Sequence, residues 1–308
     1  MRLSLFLGFL TSLSATPVRL AAQDLAPRAY VITPVHSNAI NVTTAYFSGG
    51  ADFNGAAPIT NATGRYNIEI INLYHSLSLF GRSANISVGL PYGIGNFQGD
   101  VSGQTRSVYR SGLLDSTFRF SINLIGGPAM EPKTMITWKQ KRLLGVSVRL
   151  IAPTGQYSSS KLVNWGTNRW AVKSEVGYSQ RWGHWVLDGY AGVWFYTTNS
   201  AFYTGSTPAP QDQAPIGSLE GHLSYDVKPR LWVSLDGNFW WGGVTSLSDV
   251  RNLATKQTSS RIGATVSFPI HKHHSMKFSY SDGTFVLFGG NYQNISVGWQ
   301  YSWFGRPK

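Results

Sequence analysis

Cysteine is absent from the 308-residue chain, and that absence removes disulfide scaffolds and every thiolate site for zinc, iron–sulfur clusters or nucleophilic catalysis. Charge is scarce as well. Asp, Glu, Lys and Arg make up 13% of the residues, against about 25% in typical water-soluble domains, so something other than charge covers the surface. Long apolar runs are also missing. No stretch approaches the roughly 18 uninterrupted apolar residues of a spanning helix, which excludes a helical membrane protein. What is present is 14% aromatic residues and 33 glycines. Few charges, many rings and no helical span are expected of strands that show lipid on one face and water on the other.

The first residues have the layout of an export signal. Met1 and Arg2 form a short basic start, residues 3–13 (LSLFLGFLTSL) are apolar, and Ala21 and Ala22 supply small side chains before Gln23. The expected cut follows Ala22, so residues 1–22 are a leader and residues 23–308 a single domain. A membrane anchor fits less well, because the apolar run is about 11 residues where a spanning helix needs about 20. The net charge of +12 falls to about +10 without Arg2 and Arg19. The basic residues are scattered without a cluster, which argues against nucleic acid as a partner. Contacts to outer-membrane lipid and anionic lipopolysaccharide, or a basic lumen, account for them better.

Reading with a period of two gives about twelve segments, near 37–48, 65–79, 85–95, 112–125, 142–154, 168–181, 185–198, 214–227, 231–243, 258–269, 275–282 and 290–303. From Leu114, Phe118, Phe120, Ile122 and Leu124 oppose Asp115, Thr117, Arg119, Ser121 and Asn123. Val233, Leu235, Phe239 and Trp241 likewise oppose Trp232, Ser234, Asp236, Asn238 and Trp240. A soluble sandwich also alternates. The rings weigh more: Tyr46, Tyr66, Trp170, Trp182, Trp185, Tyr196, Trp232, Trp241, Tyr301 and Trp303 fall near strand ends, where interfacial girdles lie.

Connections alternate between short (80–84, 182–184, 228–230) and long and polar, the asymmetry of an outer-membrane barrel. The fold expected is therefore all-β: a transmembrane antiparallel up-and-down β-barrel of about twelve strands, with both termini on the short-turn, periplasmic side. One long stretch, 126–141, falls where a short turn belongs, and is read as a periplasmic loop carrying a short helix over 132–140, since Pro132 suits a first helical position.

Specific strings then matter. GLLDSTFRFSINLIGGPAM from Gly112, NWGTNRWAVKSEVGYS from Asn164, DQAPIGSLEGHLSYDVKPRLWVSLDGNFWWGG from Asp212 and RIGATVSFPI from Arg261 resemble the outer-membrane transporter family named for the MetA pathway of phenol degradation. The resemblance runs over about 26–304, strongest at 166–170 (GTNRW) and 229–232 (PRLW). It implies a barrel of about twelve strands and uptake of aromatic or other small hydrophobic compounds. One departure is the carboxyl end, where Phe304 is followed by four more residues instead of closing the chain.

Candidate lumen residues follow from the polar faces. Arg119, Arg149, Arg169, Lys173, Arg181 and Arg261 supply positive charge; Asp115, Glu175, Asp188, Glu220, Asp226 and Asp236 supply negative charge; His222 lies among them. Arg–carboxylate pairs can brace neighbouring strands or form a constriction that selects solutes. Tyr190, Trp194, Tyr196, Trp232 and Trp240 are rings on the same faces and suggest an amphipathic path for a small-molecule solute. Three enzymatic or cofactor readings are weaker. The 271–274 cluster (HKHH) has no nearby carboxylate and its neighbours point to opposite faces, so no metal is expected. His222 and Ser224 beside Glu220 and Asp226 are what any lumen strand shows, leaving a barrel hydrolase acting on lipid or lipopolysaccharide as an alternative. The 93–99 run (GIGNFQG) lacks the following helix of a nucleotide loop. The chain is thus expected to be a passive pore without cofactor and not an enzyme, a plugged structural barrel being the third possibility.

Overall fold

The computed structural model describes residues 25–51, 59–101, 103–205 and 207–305; the expected leader, 1–22, lies outside them. The strands, in chain order, are β1 (Ser37–Gly50), β2 (Ile59–Leu79), β3 (Arg82–Val101), β4 (Gln104–Leu113), β5 (Ser116–Ile125), β6 (Arg142–Ala152), β7 (Ala171–Trp182), β8 (Trp185–Tyr196), β9 (Asn199–Phe202), β10 (Ala209–Gln213), β11 (Ile216–Lys228), β12 (Leu231–Gly242), β13 (Thr245–Leu247), β14 (Val250–Asn252), β15 (Gln257–Pro269), β16 (His274–Val286) and β17 (Tyr292–Phe304). Twelve of them close into one antiparallel barrel, each paired with the next and β17 returning to β1 from Ser37↔Phe304 to Gly49↔Tyr292. Closure leaves no unpaired edge, the condition for strands to cross lipid.

Alternation along each strand sorts side chains to the two faces. On β12, Trp232, Ser234, Asp236, Asn238 and Trp240 are buried, while Val233, Leu235, Phe239 and Trp241 are exposed. Leu235 is 65% and Ile262 56% exposed. In water such a belt of bare aliphatic side chains would be a liability; in a bilayer it is the outer wall. Short turns at 80–81, 183–184, 229–230 and 270–273 lie at the same end as Ser37 and Phe304, which is therefore the periplasmic end. The long connections gather at the other end, where β14-β13-β10-β9 form a small second sheet. Its strands, three to five residues long, are too short to leave a period in the sequence.

Three expectations need correction. The segment expected at 112–125 is two pieces: β3 pairs with β5 over 84–89 and with β4 over 92–101. Pro91 sits at the switch, and the Leu114 amide donates to its carbonyl at 3.0 Å. Leu114, expected on the lipid face, is consequently buried in an apolar cluster inside the barrel. The helix expected over 132–140 is only α1 (Pro132–Met135). Past it the chain turns so that Trp138 packs on Ile32, Met130, Met135 and Leu143, burial that a continued helix would forgo. Finally, Tyr66, Tyr196 and Trp232 are not girdle residues. Their strand parity directs them inward, where Tyr66 stacks on Phe47 and Phe97, and Tyr196 and Trp232 each carry an arginine.

Candidate functional site

The inner face of the barrel is the candidate site, and part of it is filled by the chain itself. The segment preceding β1, residues 25–36, runs inside the barrel at its periplasmic half. Arg28 has no exposed surface: its guanidinium pairs with Asp226 at 2.7 Å and lies 4.5 Å over the Trp232 ring. Burial is the largest influence on this group and draws its pKa below the ordinary arginine value, with Asp226 opposing the shift. The Arg28 amide donates to Asp188 Oδ2 at 3.1 Å and the Ala29 amide to Tyr190 Oη at 3.0 Å. Two residues on, Tyr30 Oη donates to Glu175 Oε1 at 2.9 Å and shares a bond with Ser147 Oγ at 3.0 Å, while Asn123 Nδ2 donates to the Tyr30 carbonyl at 3.1 Å. The ring lies where Gly145 and Gly177 leave room, since a Cβ on either would overlap it. Ile32 then enters the apolar cluster of the periplasmic loop, and the Val35 amide donates to Met130 O at 2.9 Å.

Around this segment several of the expected lumen residues form a network. Lys173 Nζ lies 2.5 Å from Glu175 Oε2 and 2.7 Å from Glu220 Oε1. His222 Nδ1 is 2.9 Å from Asp236 Oδ1, and its Nε2 is 3.8 Å from Glu220 Oε2. Asp236 Oδ2 accepts from Ser234 and Thr265. Arg181 shares Asp226 with Arg28. Arg119 lies over the Tyr30 ring at 5.1 Å, opposite Arg149 in the β5–β6 register. Most of these charges are matched within the low-dielectric interior, where an unmatched one would be costly. None of the hydrogen bonds recorded for His222 among the described residues comes from a serine hydroxyl, so the nucleophile–base contact a hydrolase needs is not formed there.

The outer half carries two clusters of rings inside. Ile151, Ala171, Trp194, Ile216 and Trp240 form one buried cluster, with Tyr196 against it; Arg169 lies 4.5 Å over Tyr196 and bonds Gln213, and Trp240 Nε1 donates to Gln257 at 3.1 Å. Across the barrel Phe47, Tyr66, Phe97, Tyr292 and Trp165 make a second cluster. Trp165 belongs to the 153–170 connection and lies on Gly93 of β3. Asp115, expected to line the lumen, is turned to this connection instead: it accepts from the Gly155 amide at 2.9 Å and from the Thr167 amide and hydroxyl at 2.8 and 2.6 Å. It holds the outer loop down because two backbone N–H groups there have no strand partner to satisfy them.

Sequence reasoning missed Arg28, Tyr30, Trp165 and the Phe47 cluster. A signal existed for the first two: the stretch before Ser37 carries Leu25, Tyr30, Val31, Ile32 and Val35, more apolar surface than a free periplasmic tail has reason to show. Phe47 lies in phase with the inward Thr43 and Ala45 and was readable from parity alone.

Comparison with known proteins agrees with this geometry. A family model described as the MetA-pathway of phenol degradation matches residues 48–291. No curated protein matches in sequence. Among solved structures, an outer-membrane channel from Pseudomonas putida F1 superposes with a TM-score of 0.73 at 17% identity, covering 91% of this chain and 100% of that one. The β domain of the Bordetella autotransporter BrkA gives 0.51 at 15% identity, covering 87% and 100%. At these identities the likeness shows the fold, that of an outer-membrane barrel.

Proposed function

Given that the chain belongs to the family of the MetA-pathway of phenol degradation, we propose that it carries small aromatic or otherwise hydrophobic molecules passively across the outer membrane. The observation that supports this reading best is the inward cluster of Phe47, Tyr66, Phe97, Tyr292 and Trp165. A water-filled diffusion pore gains nothing from rings on its inner wall, whereas an aromatic solute partitions onto them with the apolar burial of about 25 cal/mol per Å². The acidic and basic residues of the middle network would then brace the wall and set a weak selectivity, since they largely neutralise one another.

Uptake into proteoliposomes tests it. Benzyl alcohol should enter faster than a sugar of similar size, and Phe47→Ala with Tyr66→Ala should slow benzyl alcohol while leaving sugar and small-ion passage nearly unchanged. Equal slowing of both solutes would reduce the protein to a general diffusion pore. The buried Arg28 favours a second reading, a barrel that stays plugged and serves structure alone. Planar-bilayer recordings separate the two, because a permanently plugged barrel conducts no ions.

A further inference from the structure

Two tight turns lie side by side on the periplasmic rim and face away from the lumen: 229–230 joins β11 to β12, and 270–273 joins β15 to β16. Arg230 ties them together, its Nη1 donating to the Lys272 carbonyl at 2.9 Å and its Nη2 to that of His274 at 3.3 Å. Its φ of 69° after Pro229 is the left-handed turn position that glycine occupies without strain, so an arginine there runs against the local preference. In the second turn His273 Nδ1 lies 2.9 Å from the Ser302 carbonyl, and the His274 ring lies against Trp299 and Tyr301. Lys272 is left exposed at the tip, and Lys228, opposite Leu231 in the register, is exposed on the same rim. Among the described residues none of Lys228, Arg230 and Lys272 forms an ion pair. The carboxylate nearest Lys228 along the chain, Asp226, is turned to Arg28 and Arg181.

On the membrane side of these turns the outer wall is hollowed. A depression of about 650 Å³ is lined by Tyr225, Val233, Leu235, Ala264, Val266 and Phe278 among others. Ala264 accounts for it: a single methyl group stands between Leu235 on β12 and Tyr280 on β16, so the lipid-facing surface drops where its neighbours project. Val233 is three residues from Arg230, about 10 Å along a strand, which puts the apolar hollow and the cationic rim within the span of one molecule. A second copy of the chain would bring the same cations to the contact. An inorganic anion would leave the hollow unused, and a zwitterionic lipid would set its own cation against Lys272. A phospholipid with a net negative headgroup uses both halves, as basic clusters at a membrane surface do.

We propose that this surface is a binding site for an anionic phospholipid of the periplasmic leaflet, its phosphate held by Lys228 and Lys272 in the field of Arg230 and an acyl chain lying over Ala264. The site is independent of what the lumen carries.

The test is native mass spectrometry of the full mature barrel in detergent micelles with dioleoylphosphatidylglycerol or dioleoylphosphatidylcholine, which share their acyl chains. The glycerol lipid should bind at least roughly tenfold more tightly, as expected of two or three cations near the headgroup. Lys228→Gln with Lys272→Gln should bring it down to the level of the choline lipid, whereas Lys161→Gln with Lys256→Gln, on the outer connections, should leave it unchanged. Ala264→Trp fills the hollow and should weaken both lipids together. Heat-modifiable gel migration reports whether each variant folds; should Ala264→Trp fail, Ala264→Leu fills the hollow in part. Equal binding of the two lipids by the parent, or glycerol-lipid binding unmoved by the lysine pair, overturns the proposal. So does lipid binding indifferent to the folded Ala264 variant. Release of the bound lipid by inorganic phosphate alone would assign the rim to a free anion and overturn it as well.

Discussion

Arg28 Nη1 lies 2.7 Å from Asp226 Oδ1, which ties the segment before the first strand to the periplasmic end of β11 on the far side of the lumen. Asp226 also receives Arg181, so a single carboxylate holds one cation from the wall and one from the plug. The docking of residues 25–36 inside the barrel runs through this pairing.

Arg28→Ala should therefore loosen the plug without unfolding the barrel. Removing one partner of a buried pair costs about 3–5 kcal/mol, and here the cost falls on docking of the segment. Single-channel conductance should rise in Arg28→Ala and in Asp226→Asn, and the double variant should exceed neither. Additive increases would show that the two residues act independently.

A milder handle is the seat of Tyr30. Gly177→Ala places a methyl group in the Tyr30 ring, whereas Gly221→Ala meets nothing within 4 Å. Because the chain has no cysteine, a single Val31→Cys, next to the retained Tyr30 and itself buried, reports the docking directly. Maleimide should label it slowly in the parent barrel, faster with Gly177→Ala, and at the parental rate with Gly221→Ala.

Charge on the outer belt should be expelled by lipid. Leu235→Arg should destabilise the barrel by about 2–4 kcal/mol in a bilayer unfolding titration, the range for Arg near the midplane. Val250→Arg, exposed on the outer sheet strand β14, should stay within about 0.5 kcal/mol of the parent. Comparable losses at both positions would place the membrane boundary elsewhere.

Asp115→Ala removes three acceptor contacts to the 153–170 connection. Each orphaned buried donor costs about 1–3 kcal/mol, enough to free the loop and with it Trp165. Trypsin should then cut at the exposed Lys161 well before any other site, while the parent resists. Unchanged proteolysis would mean that Trp165 alone anchors the connection.

The sequence by itself determined the wall. Strand parity is strictly local: lipid outside and polar groups inside must alternate, so positions such as Leu235 and Asp236 are legible without any partner. The same parity placed Tyr196 and Trp232 inward, and would have placed Tyr66 there had it been preferred to that ring's nearness to a strand end. What fills the lumen was decided only in three dimensions. Residues 25–36 have no period to read, and their position depends on groups from β5, β6, β7, β8 and β11 that meet around one axis only after the barrel closes. Gly145 and Gly177 look like ordinary strand glycines until Tyr30 lies on them. Arg261 reads the same as Arg119 or Arg149 along the chain, and only closure shows that Asp236, which lines the same recess of the wall, is engaged by His222 and Thr265. Local alternation sets which way a side chain points, while closure of the twelve strands sets what it meets.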